Sequence, residues 1–185
     1  MTKQEMRKEF LARRAKLTAD ERIAASREIA KRVLSLSAVI GAQTVMCYVS
    51  FREEVETKEL IEALLSMGKT VCVPLCGAKT LRMTAHRIED FSELCAGAYG
   101  ILEPSGCPKG AKDSIDCILV PGAAFGRNFH RIGYGKGYYD RFLSEAKTAT
   151  TVGLCYADTL AEIVPYEATD VPLSFIVTES EVLSR

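Results

Sequence analysis

At 185 residues the chain is long enough for one well-packed domain and short for two, and 48% apolar with 26% charged residues is an ordinary soluble composition. Its 24 Lys and Arg balance 24 Asp and Glu, which argues against a general nucleic-acid binder and leaves any anionic partner to a local pocket. The polar opening Met1-Thr2-Lys3-Gln4-Glu5 lacks a signal peptide's apolar stretch, and no run approaches the roughly 20 apolar residues of a membrane span, so a cytoplasmic protein with no membrane partner is expected.

Met6, Phe10, Arg13 and Leu17 form one stripe, which predicts a first helix over residues 3 to about 16. Lys3, Arg7 and Arg14 border that stripe within about 40° of one another at 100° per residue, where they can reach a cleft. A solvated basic face would explain the spacing equally well. Thr18-Ala19-Asp20-Glu21 is a capping box opening a second helix to about Leu36, with Ile23, Ile29, Val33 and Leu36 on its apolar side.

Gln43 to Ser50 then reads as a strand, Thr57 to Met67 as a helix with a threonine cap, and Thr70 to Leu75 as a strand after the helix-ending Gly68, together a βαβ unit. Thr80 to Ile88 alternates as a strand, Asp90 to Cys95 reads as a short helix, and a loop rich in Gly, Pro and Lys runs through Lys112. Further strands are expected at 116–120, 151–156 and 175–178, with a long loop after Pro121-Gly122 and a helix from about Gly137 to Ala146. Strands alternating with helices predict an α/β fold: residues 1–185 as a single domain, with a mainly parallel, Rossmann-like sheet covered by helices on both faces and preceded by the N-terminal helices. Ligands in such folds bind beyond the carboxyl ends of the strands. The odd count of seven cysteines, none in a CxxC pair, argues against disulfides or metal sites, and Cys47, Cys72, Cys117 and Cys155, set in apolar runs, are expected as buried thiols.

The most improbable segment is Arg131-Ile132-Gly133-Tyr134-Gly135-Lys136-Gly137-Tyr138-Tyr139-Asp140-Arg141. Glycines at alternate positions permit positive φ and let backbone N–H groups converge on a phosphate, and Arg127, Arg131, Lys136 and Arg141 stand near it against the single acid Asp140. Gly137 replaces the Ser or Thr of a P-loop, and Tyr138 replaces the third glycine of a dinucleotide fingerprint, so neither motif is present. A glycine-rich loop feeding a helix N-terminus remains, suited to an anion or serving only as a turn. Asp140 is placed to hold Mg²⁺ beside phosphates, with Asp170 as a second carboxylate, although a first-turn Asp and a turn-forming Asp would account for them too. Glu53, Glu54 and Glu56 follow the first strand, where one could accept hydrogen bonds from an amino-bearing ring or merely compensate a helix end. With only His86 and His130 present, no nucleophilic triad can be argued, so positioning and electrostatics must carry any chemistry.

Pro121-Gly122-Ala123-Ala124-Phe125 followed by the segment from Arg131 to Leu143 resembles the signature of the 5-formyltetrahydrofolate cyclo-ligases, also called methenyltetrahydrofolate synthetases. Lys3-x-x-x-Arg7, Glu54-Val55-Glu56-Thr57, Tyr99-Gly100-Ile101-Leu102-Glu103-Pro104 and Asp170-Val171-Pro172 stand in the same order as in that family, so the resemblance spans essentially the whole chain. It implies that ATP phosphorylates the formyl oxygen of 5-formyltetrahydrofolate, the N10 amine closes the ring, and phosphate leaves to give 5,10-methenyltetrahydrofolate and ADP. It further implies that Lys3, Gln4, Glu5, Met6 and Arg7, together with Arg131, Ile132, Gly133, Tyr134, Gly135, Lys136, Gly137, Tyr138 and Tyr139, contact ATP as co-substrate. Val49, Glu54 and residues Tyr134 to Tyr138 would line the folate site, Arg131, Lys136 and Tyr138 would serve the reaction, and Asp140 and Asp170 would hold Mg²⁺. The implied partners are these two small molecules, met by a monomer. The chain departs from the family at Gly126 and Ser174, where an acid is common, which bears on metal binding or loop order. The residues by themselves also admit a sugar-phosphate or acyl-CoA enzyme using the same anion loop, or a non-catalytic nucleotide-binding module.

Overall fold

The computed structural model describes residues 1–77, 80–97, 100–104 and 115–185. Tyr99, Cys107 and the Gly, Pro and Lys-rich loop from residue 105 to Lys112 lie outside the described residues.

Two capping boxes start the chain. Thr2 and Glu5 bond reciprocally to open α1 (Lys3–Arg14), and Thr18 and Glu21 do the same for α2 (Ala19–Ser35), each pair satisfying two otherwise orphaned N–H groups. A short α3 (Ser37–Gly41) follows. The predicted βαβ unit is present as β1 (Thr44–Cys47), α4 (Lys58–Ser66) and β2 (Thr70–Cys76), with β1 and β2 parallel. Gly68 ends the helix region at φ +75°, a conformation a side chain disfavours. Thr57 does not cap α4 as expected: its hydroxyl donates to the Tyr48 carbonyl at 2.7 Å and accepts from the Ser50 amide at 3.0 Å, pinning the turn between β1 and α4.

The remaining main-sheet strands are β3 (Met83–Ile88), β6 (Cys117–Val120), β9 (Thr150–Leu154), β11 (Phe175–Val177) and β12 (Val182–Ser184), in the order β12-β11-β9-β6-β1-β2-β3. The five inner strands are mutually parallel and the two edge strands antiparallel, so the expected doubly covered, mainly parallel sheet is found. Alternate residues separate the two faces. Val45, Cys47, Val71, Leu119 and Val152 pack with Ile29 and Val33 of α2 and Leu60, Ile61 and Leu64 of α4. Met46, Cys72, Ile118, Val120 and Ile176 pack on the other face with Phe142 and Leu143 of α5 (Tyr138–Glu145). Each strand interior is apolar on both sides because each side meets a covering layer.

Three features differ from the sequence reading. The segment expected to be a short helix at 90–95 is a single 3₁₀ turn, Phe91–Glu93, leading into β4 (Leu94–Ala96), which pairs with β5 (Leu102–Pro104). The loop after Pro121-Gly122 contains the hairpin β7 (Ala124–Gly126) and β8 (Arg131–Ile132), completed by β10 (Leu160–Ala161) as a second small sheet. Strands of two and three residues carry too little periodicity to register in a sequence. The stripe on α1 is also shifted: Met6 and Phe10 are buried, but Arg14 is buried beside them, while Arg13 is half exposed and lies over the Phe10 ring. Met6 and Phe10 pack with Ala124, Ile132 and Val164, which seats α1 on the small sheet. Among the described residues no helix is long and apolar enough to cross a membrane.

Candidate active site

A cavity of about 880 Å³ opens where α1, the small sheet and the carboxyl end of the parallel sheet meet. The glycine loop from Gly133 to Gly137 lines it throughout, together with Arg131, Ile132, Tyr138, Tyr139 and Asp140. Lys3, Arg7 and Arg14 reach it from α1, Val49 and Glu54 from the segment after β1, and Asp170 from the loop before β11. Beyond Cys72 the pairing of β1 with β2 stops, and there Pro74, which has no N–H to leave unpaired, joins the wall.

The three glycines do more than expose backbone. A Cβ on Gly133 would come within 2.8 Å of Arg131 Nη1, and one on Gly137 within 2.9 Å of Arg141 Nη1, so their bareness makes room for guanidinium groups. Gly135 at φ +97° and Gly137 at φ +64° supply the left-handed turns that bring the loop to the start of α5. Arg7 Nε donates to the Gly133 carbonyl at 2.7 Å, tying α1 to the loop.

The expected concentration of positive charge is narrower than the sequence suggests. Arg131 and Lys136 face the cavity, whereas Arg127 pairs with Glu181 and Glu162 elsewhere, and Arg141 donates to the carbonyls of Leu81 and Lys136. Within the N-terminal segment Lys3 and Arg7 line the cavity, but Gln4, Glu5 and Met6 do not. Glu5 is occupied by its capping box and Met6 by the core beneath α1. Helical geometry explains the division, because only residues about one turn apart share a face.

Charged groups at the cavity are held in place by partners. Arg131, whose side chain is 3% exposed, donates from Nη2 to Asp140 Oδ1 at 2.9 Å and lies over the Tyr139 ring. Lys3 Nζ lies 2.5 Å from Asp170 Oδ2 and 3.1 Å from Glu167 Oε1. Burial works against the charge of both Lys3 and Asp170. Hydrogen bonding nonetheless prevails: the ammonium is held above its ordinary value, and the Asp170 carboxyl, which also accepts the Glu167 amide, below its own. Tyr138 contributes its ring beneath the Arg141 guanidinium, 5.7 Å from the ring centroid. Among the described residues the buried Tyr139 hydroxyl has no hydrogen-bond partner.

Glu54 is 7% exposed. Its Oε1 accepts from the Tyr134 hydroxyl at 2.5 Å and its Oε2 from the Phe51 amide at 2.9 Å. Burial raises its carboxyl above the ordinary range, and the bonds from Tyr134 and Phe51 and the nearby Arg14 charge oppose that without cancelling it. Glu53 also lines the cavity, while Glu56 is exposed, so the three neighbouring acids have three environments.

Among the described residues no three His, Cys, Asp or Glu side chains form a ready cation cage. Asp140 and Asp170 are two carboxylates on the wall of one cavity, a donor set that suits Mg²⁺ only when phosphate oxygens and water complete the shell. Gly126 and Ser174 do not line the cavity. A Cβ at Gly126 would run into Asn128 Oδ1 and lie 2.8 Å from the Val164 amide, so any side chain there would require this turn to shift. Ser174 exchanges hydrogen bonds with Thr151 and serves the strands.

Arg14, Phe51, Arg52, Cys76 and Glu103 also line the cavity and were given no ligand role from sequence. Arg52 at φ +54° is a strained non-glycine residue, which no sequence pattern announces. Cys47, Cys72, Cys117 and Cys155 are buried as expected; burial lifts the Cys72 thiol to about 11 and that of Cys117 to about 12, so they stay protonated.

Comparison with known proteins agrees with this architecture. The model of the 5-formyltetrahydrofolate cyclo-ligase family matches residues 1–179. A 5-formyltetrahydrofolate cyclo-ligase of Escherichia coli K12 is 32% identical over 178 residues, covering 92% of this chain and 96% of its own. That of Saccharomyces cerevisiae is 32% identical over 200 residues, covering 95% and 94%. The solution structure of 5,10-methenyltetrahydrofolate synthetase from Aquifex aeolicus superposes with a TM-score of 0.87 at 32% identity, covering 100% of this chain and 93% of that one. Glycine loop, α1 cations and Glu54 segment thus occur within one continuous match of sequence and fold, and the chain belongs to the 5-formyltetrahydrofolate cyclo-ligase family.

Proposed function

We propose that the protein converts 5-formyltetrahydrofolate to 5,10-methenyltetrahydrofolate with cleavage of ATP to ADP and phosphate. The observation that carries this reading is a single cavity whose wall holds both a cationic glycine loop and a buried carboxylate, Glu54. Its volume of about 880 Å³ lies toward the upper end for small-molecule sites, as needed where two substrates meet.

In the first step the bond between the γ-phosphorus and ADP breaks as one forms to the formyl oxygen. N10 then attacks the formyl carbon, the carbon–oxygen bond to the phosphoryl group breaks, and phosphate departs with the N10 proton. Lys136 and Arg131 stabilise charge on the transferring phosphoryl group, and Asp140 holds the Arg131 guanidinium in position beforehand. Lys3, Arg7 and the loop amides hold the ATP phosphates, Val49 and Glu54 receive the folate ring, and Tyr138 and Tyr139 offer aromatic faces. Asp140 and Asp170 are the residues that would hold Mg²⁺, which when bound offsets phosphate charge. We assign the reaction to the cytoplasm, to a monomer, and to residues 1–185 acting as one cyclo-ligase domain.

Incubation with 5-formyltetrahydrofolate and MgATP should yield methenyl product and ADP in equal amounts. Well-folded protein that yields neither would overturn the reading.

A further inference from the structure

Arg14 belongs to none of the segments that carry the family resemblance, yet it is 6% exposed and lies against the cavity. Its Nη1 donates to the Gly122 carbonyl at 3.1 Å and its Nη2 to the Tyr134 hydroxyl at 3.0 Å. Tyr134 in turn donates to Glu54 Oε1 at 2.5 Å. The logic of this chain is one of proton direction. A guanidinium has no acceptor, so the Tyr134 oxygen must accept from Arg14 and its single proton is committed to Glu54. The Phe51 amide donates to the other carboxylate oxygen, so Glu54 meets donors on both sides. These donors favour the ionised carboxylate against the burial that opposes it, and its remaining lone pairs are left for N–H donors of a ligand.

Building on the proposed reaction, in which Glu54 accepts the N–H donors of the substrate's ring, we propose that Arg14 is a positioning residue. Acting through Tyr134, it fixes the direction and charge of the Glu54 carboxylate for substrate binding. Because Arg7 holds the Gly133 carbonyl two helical turns earlier, one face of α1 fastens the start of the glycine loop at two points.

The groups acting on Glu54 come from several elements. Arg14 on α1 favours its charge, Glu53 opposes it, and the hydroxyls of Tyr48 after β1, Tyr134 on the loop and Tyr139 on α5 share its field. Tyr156 donates to its main-chain carbonyl at 2.9 Å. Burial is the largest influence and disfavours ionisation, so removal of the Arg14 cation, which favours the charge, moves ionisation to higher pH.

The test compares Arg14→Met and Arg14→Lys with wild-type protein in the methenyl-forming assay at saturating ATP. For Arg14→Met the KM for 5-formyltetrahydrofolate should rise about tenfold with kcat within about twofold, and the acid limb of kcat/KM should move up by about one pH unit. Arg14→Lys keeps the charge but loses the fork, so its limb should stay near the wild-type position while KM rises. A fall in kcat with unchanged KM, or an acid limb that does not move in a folded Arg14→Met protein, would overturn the proposal. If Arg14→Met does not fold, an unchanged KM in Arg14→Lys overturns it and a raised KM with the wild-type limb supports it. A wild-type protein that forms no product refutes the reaction itself, which keeps the two failures distinct.

Discussion

Lys3 Nζ lies 2.5 Å from Asp170 Oδ2, joining the first turn of the molecule to the loop before β11 across 167 positions of sequence. The contact places a cation and a carboxylate on the same cavity wall and closes one end of the site by docking α1. Its energetic contribution follows from the direction of the Asp170 shift.

Asp170 is held below its ordinary value, so it stabilises the fold fully above the unfolded carboxylate range, and that stabilisation is lost as pH falls through the lowered value. Asp170→Asn should therefore be less stable than wild type by about 1 kcal/mol at pH 7, and the difference should vanish toward pH 2. Urea unfolding at the two pH values is the check; an equal deficit at both would show that the ion pair is not its source.

Lys136→Ala should reduce kcat about 100-fold through loss of charge stabilisation at the phosphoryl group, with little change in 5-formyltetrahydrofolate affinity. Glu54→Ala should do the reverse, raising the dissociation constant for the folate at least tenfold. Steady-state kinetics alongside equilibrium binding separate the two, and the opposite pattern would reverse the division of the cavity.

Gly133→Ala places a methyl group 2.8 Å from Arg131 Nη1 and should push the guanidinium off Asp140. Activity should drop at least tenfold while Tm falls only by a few degrees, because the displaced group is the end of a side chain. A variant with full turnover would show that the Arg131–Asp140 geometry is unnecessary.

Gly126→Asp introduces an acid whose Cβ would collide with Asn128 and the Val164 backbone. Thermal unfolding should show a loss of about 1–3 kcal/mol with no gain in activity. A variant as stable as wild type would indicate that the 126–130 turn can rearrange.

Local signals in the sequence were sufficient for several features. The capping box at Thr18 and Glu21, the βαβ unit whose helix stops at Gly68, and the glycine loop feeding α5 each depend on residues close in sequence and chain geometry. The 3.6-residue period likewise put Lys3, Arg7 and Arg14 on one edge of α1, and all three do line the cavity. Position in a motif is a weaker guide to position at the cavity wall. Gln4, Glu5 and Met6 lie between two cavity residues in sequence but point elsewhere, and Arg127 and Arg141 lend their charge to other partners.

An alternating-glycine loop, a basic edge on the first helix and a mainly parallel sheet are legible along the chain because each is written in spacings of a few residues. Which charges face one another is set by packing between distant segments. Tyr134 meets Glu54 across 80 positions and Arg14 meets Tyr134 across 120, and burial then sets the ionisation of the carboxylate they share. Contacts over such distances arise from how the layers pack, and the low-dielectric surroundings that make them consequential exist only once the core has closed.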